Sequence, residues 1–141
     1  MLRPVRTALL LAAATAAVTA AATLPATAQD AAEGEALYAI YCASCHGADA
    51  TGNGPTAELM VINPSDLTAL SAGNGGVFPL AAVARQIDGR DPLLAHGGPM
   101  PVYGPFFEGT EIAMKTPAGQ PILMGQPMAD LIAWLRTIQR E

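Results

Sequence analysis

Apolar and polar positions follow a helical period in two stretches of this chain, one before its middle and one at its end. From Ala31 to Tyr41 the segment AAEGEALYAIY carries Glu33 and Glu35 early and apolar residues at Leu37, Tyr38, Ile40 and Tyr41. This spacing predicts an amphipathic helix with its acids near the positive N-terminal end. From Met128 to Arg140, the residues Leu131, Trp134, Leu135 and Ile138 lie three, four and seven positions apart, and Arg136 and Arg140 occupy the last turns, where the helix dipole favours cations. Between these helices Gly52-Asn53-Gly54-Pro55, Gly73-Asn74-Gly75-Gly76 and Gly97-Gly98-Pro99 mark turns. Two shorter helical pieces fit there, Thr56 to Val61 and Pro79 to Ile87, the second opened by Pro79 and stopped by Asp88-Gly89. Glu111 to Thr116 and Gln120 to Met124 flank Thr116-Pro117-Ala118-Gly119 and predict a small β-hairpin near 110–124. The expected class is all-α and loop-rich, with that one hairpin.

The N-terminus has a different pattern. Arg3 and Arg6 precede a run from Thr7 to Ala22 built almost wholly of Ala, Leu, Val and Thr, and Ala26-Thr27-Ala28 closes the stretch. A basic start, an apolar run and an A-x-A site together predict a secretory signal peptide over residues 1–28, cut after Ala28. An uncleaved membrane anchor is the competing reading. The mature chain, 29–141, has the size of one compact domain. Removing Arg3 and Arg6 takes the formal net charge from −5 to −7. Such acidity argues against nucleic acid as a partner and favours, for any electrostatically steered docking, a protein with a basic patch.

Both cysteines of the chain fall in one pentapeptide, Cys42-Ala43-Ser44-Cys45-His46. C-x-x-C-H reads as a c-type haem attachment site: two thiols three positions apart can each form a thioether, and the next residue places an imidazole under the iron. A thioredoxin-like redox pair would need a βαβ pattern around the motif, and a closed zinc site would need a second pair of ligands; the sequence offers neither. His46 leaves the other axial position of the iron to be filled. Methionine there raises the potential and suits electron transfer, whereas an open position permits ligand binding or peroxide chemistry. The mature chain has Met60, Met100, Met114, Met124 and Met128. Met100 stands out because Gly97-Gly98-Pro99-Met100-Pro101 is a rigid loop that can approach a flat group closely, while most methionines fill cores. Met114, Met124 and His96 are the alternatives.

These residues carry a family likeness. The mature chain resembles the class I monohaem cytochromes c, and among them a bacterial periplasmic branch, through Tyr41 to Gly47, Gly52-Asn53-Gly54-Pro55, Asp66-Leu67-Thr68, Asn74-Gly75-Gly76, Phe78-Pro79, Ile87-Asp88-Gly89-Arg90, Ala95-His96-Gly97 and Met100 to Gly104. The resemblance implies a cytochrome c fold whose first and last helices cross around one covalent haem c, with Gly34 and Trp134 at the crossing. It implies Cys42 and Cys45 as thioether anchors, His46 and Met100 as iron ligands, and the Pro55 carbonyl as acceptor of the other imidazole N–H. The implied function is non-enzymatic: a periplasmic electron carrier that meets redox partner proteins and touches a membrane only through a partner complex or an uncleaved leader. A haem subunit of a dehydrogenase or oxidase, and a peroxidase or small-ligand sensor with a labile distal site, are the rival readings. Arg85 and Arg90 are candidate donors to the haem propionates. The segment from Glu108 to Gly125 is longer than the minimal family requires.

Overall fold

The computed structural model of the chain describes residues 29–91 and 100–140. The predicted leader over 1–28 and the candidate His96 lie outside them. Helix α1 spans Ala31–Tyr41, as the apolar spacing predicts. Asp30 caps it, its carboxylate accepting from the backbone N–H of Ala32 at 2.9 Å and of Glu33 at 3.4 Å, a contribution of about 1 kcal/mol. Cys42 closes α1 with its own N–H on the Tyr38 carbonyl, and a single further turn, α2, carries Ala43–His46. Helix α3 runs Leu80–Asp88, between Pro79 and a left-handed Gly89, and buries Leu80, Val83, Ala84 and Ile87. Helix α4 covers Gln126–Thr137.

Two expectations shift. The helix predicted over Thr56 to Val61 is only a 3₁₀ turn at Ala57–Leu59, after which Met60 is extended. Leu59 is 84% exposed and Val61 fully so; with so little of its apolar surface buried, that stretch lacks what stabilises most short helices. Helix α4 begins earlier than predicted, with Pro127 in its first turn, and stops at Thr137. Gln139 and Arg140 lie beyond it because the Arg140 N–H bonds to the Thr68 carbonyl at 2.8 Å, in a different part of the chain.

The predicted hairpin is present. Strands β1 (Glu111–Lys115) and β2 (Pro121–Gly125) pair antiparallel, with Met114 opposite Ile122 and Ile112 opposite Met124. The alternation buries Met114 and Met124 and turns Ala113 and Leu123 outward. The hairpin runs directly into α4, joined by the Gln126 N–H to the Thr110 carbonyl at 2.9 Å. The class is helical, with four α-helices and one small two-stranded sheet among the described residues.

Helices α1 and α4 make the most extensive packing between elements, as expected from Gly34 and Trp134. The Tyr38 and Trp134 rings lie 4.4 Å apart at a tilt of 34°, a separation typical of attractive aromatic pairs. A methyl group on Gly34 would overlap the Asp130 carbonyl and come within 2.9 Å of the Trp134 Cβ. Asp130 also ties the start of α1, its buried carboxylate accepting from the Asp30 N–H at 2.8 Å and the Gln126 amide at 2.7 Å. In an open helix Gly→Ala gains about 1 kcal/mol, whereas overpacking costs about 1–3 kcal/mol. Gly34→Ala is therefore expected to lower the urea midpoint without changing the slope; a raised midpoint would contradict so close a crossing.

Candidate functional site

The end of α1 and the single turn of α2 bring Cys42, Cys45 and His46 to the wall of one cavity of about 390 Å³. Its lining is mostly apolar: Tyr38 and Tyr41 from α1, Leu67 and Leu70 from the following loop, Val83 and Ile87 from α3, and Leu131 and Leu135 from α4. Met100 and Met60 line the same cavity. Such a volume and lining suit a small-molecule or cofactor site. Burial pushes the Cys42 thiol up to about 11, with a smaller push from neighbouring Cys45. Burial likewise raises the Tyr38 phenol, whose hydroxyl donates to the Gly47 carbonyl at 2.5 Å and holds the end of α2 against α1.

A strap of residues fixes the back of α2. The Gly54 N–H donates to the Cys45 carbonyl at 3.1 Å, and both the N–H and hydroxyl of Thr56 donate to the Ser44 carbonyl, at 3.0 and 2.8 Å. A side chain at Gly54 would strike the Ser44 and Cys45 carbonyls, so glycine is required for the strap to lie this close. The Thr56 hydroxyl also lies 3.2 Å from the Cys45 sulfur.

His46 Nδ1 lies 2.9 Å from the Ser65 carbonyl oxygen. A carbonyl only accepts, so Nδ1 carries a proton, and in the neutral ring Nε2 keeps its lone pair for a metal. This corrects the expectation at Pro55. The acceptor is Ser65, and Pro55 is exposed and outside the cavity lining, because the hydrogen bonds on either side of it bind the strap to the carbonyls of α2. A backbone carbonyl leaves no mark in a sequence, so Ser65 had no signal there.

The family model for cytochrome c matches residues 31–139. The chain belongs to the cytochrome c family. The match spans both helices of the crossing, the C-x-x-C-H turn, the Met100 segment and the hairpin. No curated protein and no solved structure matches the chain. Cytochromes c bind haem c, with its iron, through covalent bonds and in general carry electrons. The residues present fit that group: two thiols, an imidazole with a free Nε2 and thioether side chains share one apolar cavity.

The other candidates separate clearly. Met114, Met124 and Met128 are buried, at 5 to 7% exposure, in the core around the hairpin and α4, and none lines the cavity with His46. Arg85 and Arg90 line a second cavity, of about 700 Å³, on the far side of α3. Arg90 is engaged there by Asp88 at 2.7 Å and Glu108 at 3.0 Å. Neither arginine lines the cavity of the C-x-x-C-H motif. Asn63, Ser65 and Gln86 supply polar groups on that wall; without charge, they gave no signal in the sequence. Tyr103 closes the side near Met100, its hydroxyl donating to the Tyr41 carbonyl at 3.0 Å and its ring 6.1 Å from Phe107.

The loop that carries Ser65 depends on its neighbour Asp66. One oxygen of Asp66 accepts from the N–H of Thr68 at 2.9 Å and its hydroxyl at 2.6 Å, and the other takes the Arg140 guanidinium. Hydrogen bonding to Thr68, aided by Arg140, holds the Asp66 carboxyl below its ordinary value of 3.8. A depressed folded value stabilises the fold above 3.8, and that contribution is lost as the pH falls through the lowered value. Urea midpoints measured across the acid range should thus fall less steeply in Asp66→Asn than in the parent; equal slopes would contradict a native role for the carboxylate.

Proposed function

We propose that the mature chain is a periplasmic electron carrier with one haem c attached through Cys42 and Cys45 and ligated by His46 and Met100. The observation that supports this most directly is the meeting of both thiols, the His46 ring and Met100 in one cavity. When bound, the haem iron supplies the one-electron ferrous–ferric couple. The chain supplies the rest. Cys42 and Cys45 anchor the group from the end of α1 and from α2. His46 offers Nε2, its ring held by the Nδ1–H bond to Ser65, which also raises the donor strength of the imidazole. Met100 offers a thioether from the segment C-terminal to α3, a ligand type that favours electron transfer. Leucines, tyrosines and Val83 around the cavity exclude water, so little solvent must reorient as charge arrives or leaves.

Of the two methionines in the cavity, Met100 fits the ligand role better. It enters next to Pro101, which restricts the backbone, and Tyr103 of the same segment is bonded to α1. Met60 instead sits between Leu59 and Val61, both largely exposed. The leader predicted at residues 1–28 and the acidity of residues 29–141 support export and docking to redox proteins with a basic patch. The exposed run of Leu59, Val61 and Ile62 beside the cavity favours, as a second reading, residence in a larger haem-containing complex.

Met100→Ala is expected to remove the weak near-infrared band of thioether-ligated ferric haem and to open the iron to cyanide, while Met60→Ala leaves the band in place. The reverse pattern would assign the ligand to Met60.

A further inference from the structure

The hydrogen bond that orients His46 is made by a loop, and that loop is held from behind by the last residues of the chain. Gln139 joins three backbone groups. Its amide nitrogen donates to the Leu67 carbonyl at 2.8 Å and the Leu135 carbonyl at 2.7 Å, and its amide oxygen accepts from the Ser71 N–H at 2.9 Å. Arg140 adds its N–H on the Thr68 carbonyl at 2.8 Å and its guanidinium on Asp66. On the opposite side the Leu67 N–H is bonded to the Ala50 carbonyl at 2.8 Å. The stretch Asp66 to Ser71 is thus clamped between the residues just after the C-x-x-C-H turn and the end of α4, with Ser65 leading directly into it.

We propose that Gln139 and Arg140 are positioning residues that fix the Ser65 carbonyl on His46 Nδ1 and thereby set the reduction potential of the bound haem. This deepens the electron-carrier reading above and rests on it. An imidazole that donates its N–H to a well-placed carbonyl is a stronger electron donor through Nε2 and stabilises the ferric state. Loosening the carbonyl weakens that donation and favours the ferrous state. The side chain of Gln139 is half-buried and makes three bonds, so it dominates the clamp; the Arg140 side chain is 61% exposed and contributes less.

The test is the midpoint potential of the holoprotein in Gln139→Leu, which keeps the bulk of the side chain and removes its hydrogen bonds, and in Arg140→Ala, whose exposed side chain can be lost without endangering the fold. Gln139→Leu should move the ferrous-to-ferric ratio at a fixed poise toward ferrous by roughly tenfold, about 59 mV for one electron. It should also shift the His46 Nδ1–H proton resonance. Arg140→Ala should move both in the same direction by less. Thr137→Ala is the control, since it removes only a bond from Thr137 Oγ1 to the Trp134 carbonyl within α4; it should lower the denaturation midpoint and leave the potential alone. Unmoved potentials in both clamp variants would overturn the proposal, as would an equal shift in Thr137→Ala. If Gln139→Leu fails to fold, Arg140→Ala decides alone. A parent protein without a low-spin, histidine-ligated haem would instead sink the electron-carrier reading itself.

Discussion

The close approach of α1 to α4 is the constraint on which the remaining architecture depends. Because Gly34 presents no side chain to Asp130 and Trp134, the two helices can touch along their backbones, and the Tyr38 ring can pack at a tilt against Trp134 one turn later. That contact fixes where α1 ends. Its last turn therefore delivers Tyr41 and Cys42 to the same cavity that Leu131 and Leu135 reach from α4. Asp130 adds a polar tie at the other end of α1, so the helix is held against both rotation and sliding.

Much of the remaining cavity wall is loop, and the loops are held by named hydrogen bonds rather than by regular structure. The strap at Gly54 and Thr56 binds α2 from behind, the Tyr38 hydroxyl takes the Gly47 carbonyl just past that turn, and Gln139 and Arg140 return from the C-terminus to the Asp66 loop. Small domains bury a limited fraction of their surface and are correspondingly marginal. In this chain the walls of the cavity make up a large part of the apolar interior, so the group that fills it belongs to the core as much as to the function.

The elements legible in the sequence were those with a periodic or covalent signature. The spacing of Leu131, Trp134 and Leu135 pointed to α4, the apolar run ending in Tyr41 to α1, and Thr116 to Gly119 to the turn of the hairpin. The pentapeptide Cys42 to His46 carried the cofactor, and the cytochrome c family match bears that out. The features that escaped the sequence depend on tertiary partners. The Thr56 to Val61 segment has the residues of a helix but leaves Leu59 and Val61 exposed. The acceptor for His46 is a main-chain oxygen at Ser65 rather than at Pro55, and a proline motif points to it no better than any other residue would. Arg85 and Arg90 were candidate propionate donors in the sequence, yet Arg85 on α3 and Arg90 just after it both line the second cavity, where carboxylates engage Arg90.

The central claim is that the cavity holds an iron with both axial positions filled by this chain. Electron paramagnetic resonance of the purified ferric holoprotein at neutral pH tests it most directly. The account predicts a purely low-spin signal that added cyanide converts only slowly. A high-spin signal, converted at once by cyanide, would mean an open distal position and would contradict the electron-carrier reading in favour of ligand binding or peroxide chemistry.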